Sequence, residues 1–176
     1  MRADRRSPGA LDNGGDLIIA ENIDCAGTLD CGGSIKCGTL KVSGQAEADG
    51  GVEAETVTVS GMLDCLGLLN AETVVIKGVG MKIGSIGGST ITIRRGTAMS
   101  KLSRIPLISS VIKAVSGIVE VPGGIEGDTV ELENVKTPRV SGRIVVIEGD
   151  CDIDLVQYSE SVSISPDARV GRSEQI

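Results

Sequence analysis

Thr39-Leu-Lys-Val-Ser-Gly44, Thr56-Val-Thr-Val-Ser-Gly61, Thr73-Val-Val-Ile-Lys-Gly78 and Thr90-Ile-Thr-Ile-Arg94 are four versions of one phrase. Their leading threonines stand at 39, 56, 73 and 90, a constant step of 17 residues. A fixed period of this size marks a repeat architecture. Inside each repeat the apolar residues come in pairs two apart: Leu40/Val42, Ala46/Ala48, Val52/Ala54, then Val57/Val59, Leu63/Cys65, Leu69/Ala71. Side chains two apart share one face of a β-strand. Successive pairs begin 6, 6 and 5 residues apart, so each period holds three short strands with a corner after each. Strands that never turn back cannot form hairpins. They wind as a coil, each lying parallel over its counterpart one period later, which predicts an all-β parallel β-helix.

Stacking residues one period apart gives columns of one character. Ile23, Leu40, Val57, Val74 and Ile91 form one, and Cys25, Val42, Val59, Ile76 and Ile93 the next. Ile35, Val52, Leu69 and Ile86 form a third, and Cys31, Ala48 and Cys65 a fourth. The residues between them, among them Asp24, Asp30, Lys36, Lys41, Glu47, Glu53 and Asp64, point outward. A slip of one residue would bury that charge, so the register is well specified. Corners carry Gly27, Gly38, Gly44, Gly61 and Gly78, where a positive φ is the expected reason for glycine.

The composition agrees. Hydrophobic residues make up 40% of the 176, yet aromatics only 1%: Tyr158 is alone, with no Phe, Trp or His. A globular core normally uses aromatic bulk; the narrow interior of a β-helix is filled by stacked aliphatics. The net charge of -7 and the absence of a basic stripe interleaved with aromatics speak against nucleic-acid binding. No apolar run approaches the roughly 18 residues of a membrane span, and Met1-Arg-Ala-Asp-Arg-Arg6 lacks the apolar core of a signal peptide. Cys25, Cys31, Cys37, Cys65 and Cys151 read as small apolar fillers in a reducing compartment. The expected location is cytoplasmic, with peripheral attachment to the inner face of the cell membrane as a further option.

In chain order, residues 1–16 read as a polar, disordered tail, 17–170 as one β-helical domain and 171–176 as a second tail. Arg2, Arg5 and Arg6 are too few, without an apolar anchor, for a strong lipid contact. The pattern breaks over 94–117. Apolar residues at 102, 105, 108, 112 and 115 suit a helical face, and Pro106 suits its first turn, so a short helix over 106–115 is expected. Arg94, Arg95, Lys101, Arg104 and Lys113 make this insertion basic in an acidic chain. It could pack on the coil flank, contact a partner or an anionic membrane surface, or extend as a disordered excursion. Pairs resume at Val119/Val121 and continue through Val145/Ile147 and Val162/Ile164, again 17 apart.

No catalytic constellation is legible. Without His, acid–base work would fall on carboxylates, Lys or Tyr, and the outward carboxylates need no such role. No phosphate loop, nucleophile elbow or dinucleotide fingerprint is present. Hexapeptide acyltransferases step strictly by six and generally rely on a His. The Thr-x-Thr ladder of ice-binding β-helices is broken here by Lys41 and Val75. The expectation is no enzyme activity, no cofactor, no metal and no small-molecule substrate.

What remains is structural. A β-helix that stops leaves unpaired backbone at each end, a template for another chain. The expected first coil, Leu17-Ile19-Ile23, and last, Val162-Ile164-Val170, have only polar segments beyond them, which points to end-to-end stacking. About seven coils at ~4.8 Å each would make a rod of roughly 30–35 Å.

The repeat Val42-Ser-Gly44 and Val59-Ser-Gly61, then Gly67-Leu-Leu-Asn-Ala71 and Ile86-Gly-Gly-Ser-Thr-Ile-Thr-Ile-Arg-Arg95, resemble the bactofilin family of polymer-forming bacterial cytoskeletal proteins. The resemblance is nearest to the bactofilin-like proteins of spore-forming Gram-positive bacteria. Ile125-Glu-Gly-Asp-Thr-Val-Glu-Leu-Glu-Asn-Val-Lys136 and Cys151-Asp-Ile-Asp-Leu-Val-Gln-Tyr158 extend it, so that it covers residues 15–176. It implies a right-handed β-helix and nucleotide-independent, non-polar filaments joined head to head and tail to tail. It also implies a scaffold role in cell shape, envelope organisation or motility, with other bactofilins or envelope and motility proteins as partners beside the chain itself. The apolar part of the family's N-terminal membrane motif is missing from Met1–Arg6, and the terminal aromatic that some members use for polymer contact is absent.

Overall fold

The computed structural model describes residues 5–7, 9–78, 80–96 and 117–176. Its strands are parallel throughout, stacked as a solenoid of about nine turns. The stacking columns hold as expected and run further. Ile23, Leu40, Val57, Val74 and Ile91 lie in register and are continued by Val130, Val145 and Val162. Cys25, Val42, Val59, Ile76 and Ile93 are continued by Leu132, Ile147 and Ile164. The third column has nine members: Leu17, Ile35, Val52, Leu69, Ile86, Ile125, Val140, Val156 and Ser173. From coil two to coil eight these residues are buried; at the terminal edge Val162 is partly buried and Ile164 is exposed. The core is thus a stack of aliphatic layers, and every outward residue lies one step away on the pleat.

Two spans expected as tails belong to the coil. Arg5–Ser7 pairs with 23–25. Ala10–Asn13 pairs with Thr28–Cys31, Leu11 over Leu29 and Asp12 over Asp30. Leu11-Asp12-Asn13-Gly14-Gly15 and Leu29-Asp30-Cys31-Gly32-Gly33 are the same phrase at a step of 18; one extra corner residue hides it from a strict 17-residue count. At the other end Arg169–Gln175 is a strand on Asp152–Ile164, so residues 171–175 continue the ladder. Nine coils at ~4.8 Å give a rod of about 40 Å.

The inserted segment is shorter than expected. Arg94 still pairs in register with Lys77, and Val119 resumes the ladder against Val135. Gly80 donates its N–H to the Gly117 carbonyl at 2.9 Å, and Gly96 lies beside Gly78. Departure and return thus share one corner. The expected helix over 106–115, with Lys101, Arg104 and Lys113, lies outside the described residues.

Between Val135 and Gly142 the apolar spacing in the sequence is nearer five than six, and the structure shows the cause. The corner between Leu132 and Val135 is cut to Glu133-Asn134, with Asn134 at φ 61°. The next corner, between Thr137 and Val140, is likewise cut to Pro138-Arg139, so the coil from Val130 to Val145 loses two residues and contracts to 15 (145 − 130). The one buried hydroxyl of this stretch, on Thr137, donates to the Val121 carbonyl at 2.8 Å, which satisfies it.

The corner glycines serve a different purpose from the expected one. Among the described residues positive φ occurs at Gly80, Gly124, Asn134 and Asp150, not at Gly44 or Gly61. There the need is closeness: a methyl on Gly61 would stand 2.8 Å from the Ser43 carbonyl oxygen and closer still to that of Gly44.

All five cysteines are free and buried. Burial pushes the Cys37 thiol up to about 11. Cys151 also rises to about 11, desolvation outweighing backbone hydrogen bonds to its sulfur. Alkylation at pH 8 is therefore expected to label none of the five in the folded protein and all five in guanidinium, counted by intact mass. Both thiols have folded pKa values above 9, the ordinary value. Their contribution to stability is complete below pH 9 and is lost as pH rises through about 11.

Candidate functional site

The proposed interface residues fall into two groups. At the N-terminal end Ile23 is covered by the register partner Arg5 and is an interior residue of coil two. Leu17 and Ile19 belong to coil one; both pair downward with coil two, and their side chains are 7% and 9% exposed. The end layer above coil two is formed by Arg5–Ser7, Ala10–Asn13 and Leu17–Ile18. Asn13 occupies an inward register position over Cys31 and donates to the Gly15 carbonyl at 2.6 Å.

The C-terminal end is the more open one. Residues 161–164 lie on 144–147, and no described strand lies on their other side. Arg169–Gln175 likewise pairs only downward. The effect shows along single columns. Ile147 is 1% exposed, whereas Ile164 directly above it is 38% exposed. Val162, Ala168, Val170 and Tyr158 are partly buried against the same core. The sole aromatic of the chain thus stands at this end, a placement nothing in the periodicity signals. Unsatisfied strand edge and unfinished apolar columns coincide here, which is the physical description of a surface prepared for a further β-layer.

Arg94 and Arg95 are turned to internal use. The Arg94 guanidinium pairs with the Glu131 carboxylate. Arg95 donates to Asp150 at 2.8 Å and to the Asn134 side-chain oxygen at 3.1 Å, and its backbone N–H donates to Glu133 at 3.2 Å. Among the described residues Asn134 and Asp150 are the two non-glycine residues with left-handed φ, so one arginine ties together two strained corners of adjacent coils. Asn134 in turn donates to the Gly117 carbonyl at 3.3 Å, where the chain rejoins the solenoid. Sequence reading missed this clamp because its members are far apart in the chain; an Asn and an Asp before resumed strands were the available signal. Arg95→Ala would leave the buried Asn134 oxygen without its donor, at a cost of about 1–3 kcal/mol. Faster hydrogen exchange is expected at the Val119 and Asn134 amides, which form the local ladder bonds, with coils two to five unchanged.

Among the described residues no group of three or more His, Cys, Asp or Glu could hold a metal ion, and no helix is long and apolar enough to cross a membrane.

No protein-family model matches the chain, and no solved structure matches it. A stretch of 52 residues, 30% of this chain, is 42% identical to the "Uncharacterized protein YhbE" of Bacillus subtilis (strain 168). The match spans 22% of that protein's length.

Proposed function

We propose that this chain is a non-enzymatic, bactofilin-like scaffold that assembles with itself, end to end, into nucleotide-independent filaments in the cytoplasm. The observation that carries the reading is the C-terminal end, where two core columns stop at partly buried Val162 and exposed Ile164 beneath an unpaired strand edge. A monomer would be expected to cap that edge. The parallel solenoid and the resemblance of the coil repeats support the same reading. The role that follows is mechanical: a rod that organises shape, envelope or motility components.

Negative-stain microscopy of the purified protein at physiological salt, with and without nucleotide, tests it. Straight filaments in both samples are the expected result. Discrete particles alone at high concentration would overturn it.

A second reading has its own observation. Gly96 and Gly117 border one corner, at Gly78 and Gly80, so the segment between them can be carried without disturbing the columns. In this reading it recruits a protein partner or membrane surface to the solenoid. Joining Gly96 to Gly117 through a short Gly-Ser link is expected to preserve the circular dichroism spectrum and abolish that recruitment.

A further inference from the structure

The outward side of the nine-membered column is unlike a plain solvated face. Large exposed apolar side chains among the described residues are Ile18, Met62, Leu66, Leu68, Ile164 and Ile176. Three of these, Ile18, Leu68 and Ile176, line two hollows on this side, of about 340 and 750 Å³, which meet at Leu68 and Asn70. Leu68 is thus a ridge between depressions. The larger hollow is shallow-walled because its floor at coils six and seven carries Gly123, Gly124, Gly127 and Gly142, positions with no side chain.

Ridge and floor are placed symmetrically. The column runs from Leu17 in coil one to Ser173 in coil nine, with Ile86 in coil five. A two-fold axis lying in this face along the strand direction at coil five brings each coil opposite its mirror number in a second, antiparallel copy. Leu68, just before the inward Leu69 of coil four, then meets Gly124, just before the inward Ile125 of coil six. An apolar knob faces a position that offers only backbone. On the next position, Asn70 meets Glu126, an amide donor against a carboxylate. At the rim Asp16 of coil one meets Arg172 of coil nine, and Arg139 of coil seven faces Gly51 of coil three, two positions from Glu53, whose carboxylate pairs with Lys36 at 2.7 Å. Arg139 and Arg172 are exposed, and neither has an ion-pair partner among the described residues.

We infer that this face is a self-complementary side contact, in which two antiparallel copies of the chain pair about a dyad at coil five. Such isologous contacts need one patch to be its own partner, and shape and charge here repeat about a single centre. A face about 40 Å long and roughly 12 Å wide buries on the order of 1,000 Å² in total, the lower bound for a specific interface. The contact is therefore weak alone and strengthened when many copies are aligned in a filament. It is distinct from the end contact, so each can fail without the other.

Ser85 borders the dyad, one step before Ile86. Since all five native thiols are buried, Ser85→Cys offers the single accessible one. A bismaleimide with a spacer of about 8 Å, near the ~10 Å separation of packed sheets, should give at least tenfold more covalent dimer with Ser85→Cys than with Lys41→Cys on another face. Leu68→Asp and Arg172→Glu, each added to Ser85→Cys, should lower that yield at least fivefold with unchanged circular dichroism. Asp16→Lys added to Arg172→Glu should restore it. Ile164→Asp should lower the absolute yield, because unassembled copies lose the filament's alignment, but keep Ser85→Cys above Lys41→Cys. Equal yields from Ser85→Cys and Lys41→Cys, or a Ser85→Cys yield indifferent to both Leu68→Asp and Arg172→Glu, would overturn the inference.

Discussion

Ile164→Asp is expected to abolish filaments at concentrations where the parent chain assembles fully, while the subunit stays folded. Ile164 closes a column whose lower members are fully covered, and it is itself 38% exposed. In the free subunit a carboxylate there can turn to water, so the expected change in Tm is small. In a stacked end it would be a buried charge with no partner, a cost of about 3–5 kcal/mol. That raises the concentration needed for assembly by on the order of 100-fold or more. Sedimentation across a concentration series measures this, and Lys41→Glu, a charge change on a flank, serves as the control that still pellets. Filaments of Ile164→Asp at the parent's threshold would remove the C-terminal end from the contact. The corresponding change at Ile19 is less informative, because Ile19 is 9% exposed in the free chain and a carboxylate there would damage coil one itself.

Gly61→Ala is expected to have the largest effect on folding. The added methyl meets two backbone carbonyl oxygens of the preceding coil, those of Ser43 and Gly44. Backbone cannot rotate aside as a flexible side chain can, so the two coils must separate locally. Overpacking of this kind costs about 3 kcal/mol, which corresponds to a Tm lower by roughly 6–12 °C for a chain of this size. Because each coil touches only its neighbours, the damage should concentrate in coils three and four. Hydrogen exchange would show it at Met62, whose N–H bonds to the Gly44 carbonyl at 2.9 Å. Gly14→Ala is the matched control: nothing lies within 4 Å of a methyl there, and its Tm should stay within a degree or two of the parent. An unchanged Tm for Gly61→Ala would mean that the corners are looser than this stacking requires.

The sequence by itself determined the coil. A 17-residue period with paired apolar residues leaves one way to keep Lys41, Glu47 and Glu53 wet and Leu40, Ala46 and Val52 dry, and the pleat enforces that choice at every step. Columns one to four were therefore readable residue by residue, as was their resumption at Val145 and Val162. Periodicity is weaker where corners change length. The 18-residue step hid coil one, and the 15-residue step, made by two corners each one residue shorter, blurred Val135–Gly142; a left-handed Asn134 closes the first of these.

Only the tertiary structure decided what lies across the coils. Arg94 and Arg95 read as free basic residues until the fold brings Glu131, Asn134 and Asp150 to them from later turns. The corner glycines read as sites of unusual φ until stacking places a carbonyl oxygen where a Cβ of Gly44 or Gly61 would be. Leu68 and Gly124 are 56 residues apart (124 − 68), and their relation about coil five exists only once coils are counted in space. Local chemistry along the chain sets which way each side chain points; the distance between turns, about 4.8 Å, sets what it meets.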